Sequence, residues 1–169
     1  MQRMARVLAS LILPVSAAVL MPVWLLHRFG DGWTSGDDFS LSVLLPRIAG
    51  AVVFTFGFAL FAWCVWLFAR VGHGTLAPWD PPVRFVAVGP YRYMRNPMIS
   101  GVAAMLLGEA LFLTSTSLFI WAITFLVINQ VYFVLSEEPF LERRFGERYQ
   151  AYKAAVPRWV PRRSPWDDR

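Results

Sequence analysis

Little in this chain can be bridged by a disulfide or used to hold a soft metal. Cys64 is the sole cysteine and lies inside an apolar run, which excludes an intrachain disulfide and a thiolate cluster. Its expected role is that of a small buried apolar residue. Histidine is nearly as scarce: His27 and His73 are the only two, and they are expected on opposite sides of a membrane, so no metal centre is expected. Charge is also short. Asp, Glu, Lys and Arg make up 16% of the 169 residues, against about a quarter in soluble domains. No repeat, low-complexity tract or long polar segment is present from which a large extramembrane core could be built. The chemistry must therefore lie in or against a bilayer.

Apolar surface is what the chain has in excess, with 57% hydrophobic residues and a mean hydropathy of +0.48. Four apolar runs stand out: Val7 to Leu26, Ile48 to Ala69, Met98 to Leu113 and Leu118 to Leu135. The first two reach the ~20 residues a spanning helix requires. The last two are separated only by Thr114-Ser115-Thr116-Ser117 and read as a helical hairpin. Arg3, Arg6 and Val15-Ser16-Ala17 give the first run some features of a cleavable leader, but its apolar stretch exceeds the ~7–15 residues of a secretory core, so an anchored helix is expected. Residues 137–152 are charged yet keep Phe140, Leu141, Phe145, Tyr149 and Tyr152 at roughly helical spacing, which predicts an amphipathic interfacial helix.

The fold expected is all-α: a polytopic membrane protein of about four transmembrane helices with a C-terminal helical hairpin and an interfacial helix. Residues 1–169 form a single integral membrane domain in this reading. Within it, 1–70 hold two N-terminal spans, 71–161 a cofactor-binding region with the hairpin, and 162–169 a polar tail. The formal charge of +5 does not imply nucleic acid, because the basic residues are scattered among loops. Arg3 and Arg6, then Arg70, Arg84, Arg92 and Arg95, then the basic residues beyond the fourth run fall on one side, whereas Asp31, Asp37 and Asp38 fall on the other. The positive-inside rule places the first group, with both termini, in the cytoplasm.

The densest polar chemistry is "VGPYRYMRNPMISG", residues 88–101. Gly89-Pro90 marks a turn. Pro97 suits the first turn of a helix, and Asn96 before it is the expected N-cap. A helix start flanked by Arg92 and Arg95 favours a carboxylate or phosphate. Ser100, Ala104 and Gly108 form a small-residue stripe suited to close helix approach. With the hairpin centred between Ser115 and Thr116, Glu137 and Glu138 fall level with Met94 and Tyr93, Asn129 and Gln130 fall beside Val102 and Gly101, and Tyr132 falls almost opposite Ile99. Two carboxylates thus meet two arginines at a membrane surface, where unpaired charge is costly. Glu109, ~16 Å into the third run, is an intramembrane acid with either a functional role or a buried hydrogen bond to Thr124 or a carbonyl.

"GPYRYMRNPMISG" followed by "EEPFLERRFGERYQAYKAAVPRWVP" resembles the isoprenylcysteine carboxyl methyltransferase and phospholipid methyltransferase family, and "GTLAPWDPP" upstream looks like its small bacterial members. The resemblance spans about Gly74 to Pro161 and implies S-adenosylmethionine as cofactor and a lipid-like or lipidated acceptor at a bilayer. It also implies that Gly89, Tyr91, Arg95, Pro97 and Gly101 shape the cofactor pocket while Glu137 and Glu138 contact the cofactor's polar parts. Arg92, Tyr93 and Asn96 in the same stretch complete the candidate set. Arg95 and Glu138 are the candidate catalytic residues, Glu138 as acceptor of a proton from an amine. Asn96 stands where the family has histidine and Ile99 where it has tyrosine. Asparagine takes no proton near neutral pH, which slightly favours carboxyl over amine methylation. An NADPH-dependent membrane reductase and a non-catalytic protein retaining the fold are the competing readings.

Overall fold

The computed structural model describes residues 12–31, 40–72 and 85–167, so the loops bearing His73 and the "GTLAPWDPP" stretch lie outside the described residues. Among the described residues all regular structure is helical. Helix α1 covers residues 12–29, with a π-helical segment at Ser16–Leu20 between Ile12–Val15 and Met21–Phe29. Pro22 explains that segment. Met21 N–H donates to the Ser16 carbonyl, five residues back, and the next donor in that pattern is missing because proline has none. The Ala17 carbonyl left over accepts Trp121 Nε1–H at 3.0 Å.

Helix α2 is Leu41–Leu67, continued by a π-helical turn Phe68–Gly72. It begins earlier than the Ile48 expected from hydropathy, because Pro46 and Arg47 are carried inside its first turns. Helix α3 is Pro97–Leu113 and helix α4 is Thr116–Tyr132. Thr114, at φ 53°, closes α3. Ser115 then caps α4, its Oγ accepting from Leu118 N at 3.3 Å. A second cap comes from outside the hairpin: Asp31 accepts Ser117 N–H at 2.8 Å and Ser117 Oγ–H at 2.6 Å. These bonds hold the Asp31 carboxyl below its ordinary range and tie the end of α1 to the hairpin turn.

The helix expected over residues 137–152 is present as Glu138–Ala155, and it is continuous with the hairpin. Helix α4 runs on through a π-helical segment, Phe133–Glu137, directly into α5, Glu138–Ala155. The break comes inside α5 at Gly146, whose φ of 55° and ψ of −135° are open to glycine but strained for other residues. Beyond this kink, Tyr149 and Tyr152 are buried against Phe85 and Trp166. The apolar face of α5 is therefore covered partly by the chain itself. Trp166 is buried too, so the expected polar tail packs into the structure.

Helices Leu41–Val71 and Thr116–Ala155 contain stretches long and apolar enough to cross a bilayer; Ser16–Phe29 and Pro97–Leu113 are apolar but shorter. The apolar part of the second long helix ends at Leu135. The tightest packing is between α2 and α3, antiparallel through two glycine pairs. A Cβ added at Gly57 would stand 2.6 Å from the Gly101 carbonyl oxygen, and one at Gly108 would stand 2.6 Å from Phe54 N. Gly50 and Gly57, like Gly101 and Gly108, are two turns apart, so both contacts share one helix face. Ala104, from the small-residue stripe read in the sequence, lies in this seam against Gly57. On its other side α3 packs through Val102, Met105 and Leu106 against Ala18 of α1 and Ala122 and Phe125 of α4.

Candidate active site

The polar stretch ahead of α3 folds as a 3-10 turn, Gly89–Arg92. Gly89 takes φ 55°, where a Cβ would meet Leu67 Cδ1 at 2.8 Å, and the turn seats Tyr91 in the interior, edge-on to Phe68. Tyr152 O–H donates to the Tyr91 carbonyl at 2.7 Å, locking the turn to α5. Asn96 occupies the N-cap position of α3, but its side chain makes no cap bond; its carbonyl accepts from Ser100 N and Ser100 Oγ, each at 3.0 Å. The side-chain cap read from the sequence is not formed, and the Asn96 side chain lines a cavity instead.

The chain beyond α5 returns beneath this turn. Arg95 N–H donates to Pro157 O at 2.9 Å and Asn96 N–H to Arg158 O at 3.3 Å, while Arg162 N–H reaches Tyr93 O at 2.9 Å and Trp166 N–H reaches Arg92 O at 2.8 Å. Arg92 is turned the same way, its Nε–H on Trp166 O at 2.7 Å and its Nη2 3.3 Å from Asp167.

At the centre is Glu138. Its Oε1 accepts Arg95 Nη1 at 2.6 Å, Arg158 Nη2 at 2.6 Å and Arg158 Nε at 3.0 Å. Its Oε2 meets Lys153 Nζ at 3.0 Å, and Lys153 also holds Glu142 at 2.7 Å. Burial by itself raises the Glu138 pKa, but the hydrogen bonds and charges of Lys153, Arg158 and Arg95 outweigh it and hold the carboxyl below its ordinary range. Glu138 is thereby a poor proton acceptor, which counts against the acid–base role read for it in the sequence. Glu137, next in the chain, differs: burial, then the adjacent Glu138 charge, pushes its carboxyl up to about 7. Tyr149 stands beside the Arg95 guanidinium, and burial pushes its hydroxyl up to about 12.

These groups form the polar end of a cavity of about 830 Å³, inside the ~300–1,000 Å³ common for small-molecule sites. Tyr91, Arg95, Asn96, Glu137 and Glu138 line it, with Tyr149 and Arg143. An apolar arm continues between the helices along Ile99, Val102, Trp121, Phe125 and Ile128 to Ala17. Ile99 and Tyr132 both reach the wall, as the hairpin register predicts. Gly89, Arg92, Tyr93, Pro97 and Gly101 do not line the cavity; they hold the turn, the returning chain and the α2–α3 seam that build it. Glu109 is also elsewhere. One of its carboxyl oxygens is buried with no hydrogen-bond partner, and Thr124 donates to Ile120 O instead.

Sequence reading missed Tyr149, Tyr152, Lys153 and Arg158 as site residues. The basic residues after the fourth run were read only for topology. Their spacing does carry a signal, since Tyr149, Tyr152, Lys153 and Val156 recur at helical intervals just before Arg158. Among the described residues, no group of three or more metal-ligating side chains converges.

A membrane protein, helical throughout its described residues, with an ion-paired polar pocket opening into an apolar arm is the class that fold and site define. This chain belongs to the phospholipid methyltransferase family, whose sequence model matches residues 45–148, more than half of its length. The family is one of methyltransferases, and membership implies methyl transfer from S-adenosylmethionine to a lipid-like substrate. No curated protein and no solved structure matches the chain.

Proposed function

We infer that the polar end of the cavity binds S-adenosylmethionine and that the apolar arm takes the hydrophobic part of a lipid acceptor. The observation that carries this reading is Arg95 Nε: a buried donor with no partner, on a side chain that lines the cavity. A buried unpaired guanidinium donor is costly, and a ligand carboxylate at hydrogen-bond distance would satisfy it. The donor set fits the cofactor's carboxylate. Tyr91, Phe133, Phe145 and Tyr149 supply aromatic wall suited to adenine and to a sulfonium. When bound, S-adenosylmethionine supplies an electrophilic methyl carbon. The chain's part is to align an acceptor with it and to exclude water, which accounts for much of the rate in such reactions.

The test is binding. Arg95→Ala should weaken S-adenosylmethionine affinity about ten- to a hundredfold, the effect of a charged hydrogen bond. Isothermal titration on detergent-solubilised protein measures it, and wild-type affinity in the variant would remove the cofactor from this pocket.

For the acceptor group, the preference for a carboxylate rested on the absence of a base at Asn96. Glu137 offers one. A carboxyl poised near 7 at the cavity wall is suited to take the proton an amine must lose, so an amine acceptor is the reading we favour. Arg143, which also lines the cavity, supports the second reading, an acceptor whose own reacting group is a carboxylate. The two differ in pH dependence. With an amine, turnover should be low while Glu137 is protonated and rise as pH passes about 7, and Glu137→Gln should abolish that limb. A carboxylate acceptor predicts a flat profile there in both proteins.

We also read the chain as crossing the membrane four times with this site on the cytoplasmic side, on the strength of the basic residues around it. With Cys64 replaced, cysteines at Thr75 and Thr34 should label from opposite sides. Labelling from one side alone would overturn the topology.

A further inference from the structure

We propose that Arg158, beyond the residues matched by the family, is a positioning residue for the cofactor site: by saturating Glu138 it keeps Arg95 free to receive a carboxylate ligand. This rests on the cofactor reading above. An arginine and a carboxylate left to themselves favour a two-bond fork. Arg95 makes only one bond to Glu138, through Nη1, and its Nε is left buried and unpartnered. The geometry around Glu138 gives the reason. Arg158 delivers both Nε and Nη2 to the same Oε1 that Arg95 uses, while Lys153 takes Oε2. With Oε1 filled and Lys153 on Oε2, a second bond from Arg95 must compete with both cations.

Arg158 is held for this task at both ends. Its carbonyl accepts Asn96 N–H and the preceding carbonyl accepts Arg95 N–H, so the main chain of residues 157–158 is fastened to the same two residues that face the cavity. Its side chain is only 16% exposed, which limits the competition of water for its donors. Without the Arg158 guanidinium, Glu138 is free to draw the Arg95 guanidinium round until its Nε–Nη2 edge forks onto the carboxylate, and the donor intended for the ligand is spent inside the protein. The cluster charge points the same way. Arg95, Arg158 and Lys153 face Glu138 and Glu142, leaving an excess of one positive charge for an anionic group.

The test is a double-mutant cycle on S-adenosylmethionine affinity, read by titration and by the thermal shift the cofactor induces. Arg158→Gln should raise Kd about tenfold and, in turnover, raise KM for the cofactor with kcat little changed. In an Arg95→Ala background the same substitution should change Kd less than about twofold, because there is no donor left to release. Arg158→Lys preserves charge but offers a single point donor, and about a threefold rise is expected with unaltered stability of the free protein. That variant decides the matter where Arg158→Gln does not fold. Wild-type affinity in Arg158→Lys, or an Arg158→Gln effect that persists undiminished beside Arg95→Ala, would overturn the proposal. If Arg95→Ala itself leaves affinity unchanged, the cofactor reading fails first and this inference with it.

Discussion

Glu138→Ala should lower stability by about 3–5 kcal/mol and leave no measurable S-adenosylmethionine binding, the largest loss expected from any polar substitution in the chain. The reason is not the strength of one ion pair. Glu138 is the shared counter-charge of Arg95, Arg158 and Lys153, and its side chain and that of Arg95 are 8% and 12% exposed. Removing the carboxylate leaves the Arg95 and Arg158 guanidinium groups facing one another with little water to screen them, while Lys153 keeps Glu142; the penalty is that of uncompensated buried charge. Exposed pairs behave otherwise: Arg92 with Asp167, whose side chains are 36% and 61% exposed, is expected to contribute less than about 1 kcal/mol. Thermal unfolding in detergent, with and without cofactor, measures both. Wild-type stability in Glu138→Ala would mean that the cations disperse into solvent and that the cluster does not organise the pocket.

A comparable loss is expected from Gly57→Leu, through packing alone. The first atom of any side chain there meets the Gly101 carbonyl at 2.6 Å and Met105 N at 2.8 Å. Both belong to the backbone and have no rotamer to move into. Overpacking costs typically ~1–3 kcal/mol where neighbouring side chains can shift. Here α2 and α3 must separate, so about 3 kcal/mol or more is expected, together with loss of the cavity wall that α3 provides. Ala59→Leu, two residues on but exposed, is the control and should unfold like wild type. Equal stabilities for the two variants would show that the glycine seam does not hold the bundle.

How much of this was legible in the sequence depended on how local the cause was. The α3–α4 turn at Thr114-Ser115 follows from four polar residues between two apolar runs, and a hairpin register then brings Ile99 and Tyr132 to one wall. Arg95 beside Glu138 was within reach of the same arithmetic. Hydropathy hid the π-helical segments ahead of Pro22 and Pro139 and the fusion of α4 with α5, because a span and a polar helix can share one backbone across a change of composition. The glycine seam was half visible: Ala104 and Gly108 were noticed on α3, but Gly50 and Gly57 at the matching interval on α2 were not paired with them. Lys153, Arg158 and Trp166 were invisible as site residues for a different reason. Their partners lie 15 to 74 residues away along the chain, and no periodicity reports that the chain turns back.

That return has a consequence for how the protein is made. Arg158 and Trp166 follow every apolar run in the sequence, so they are among the last residues to be synthesised. Until they are in place, Glu138 is answered only in part, and Arg95 and Asn96 lack the carbonyls that receive their amides. The polar end of the cavity is therefore completed late, by residues 157–166. A chain that stops shortly after Ala155 holds every apolar helix but lacks the guanidinium and carbonyls that complete the polar end of the cavity.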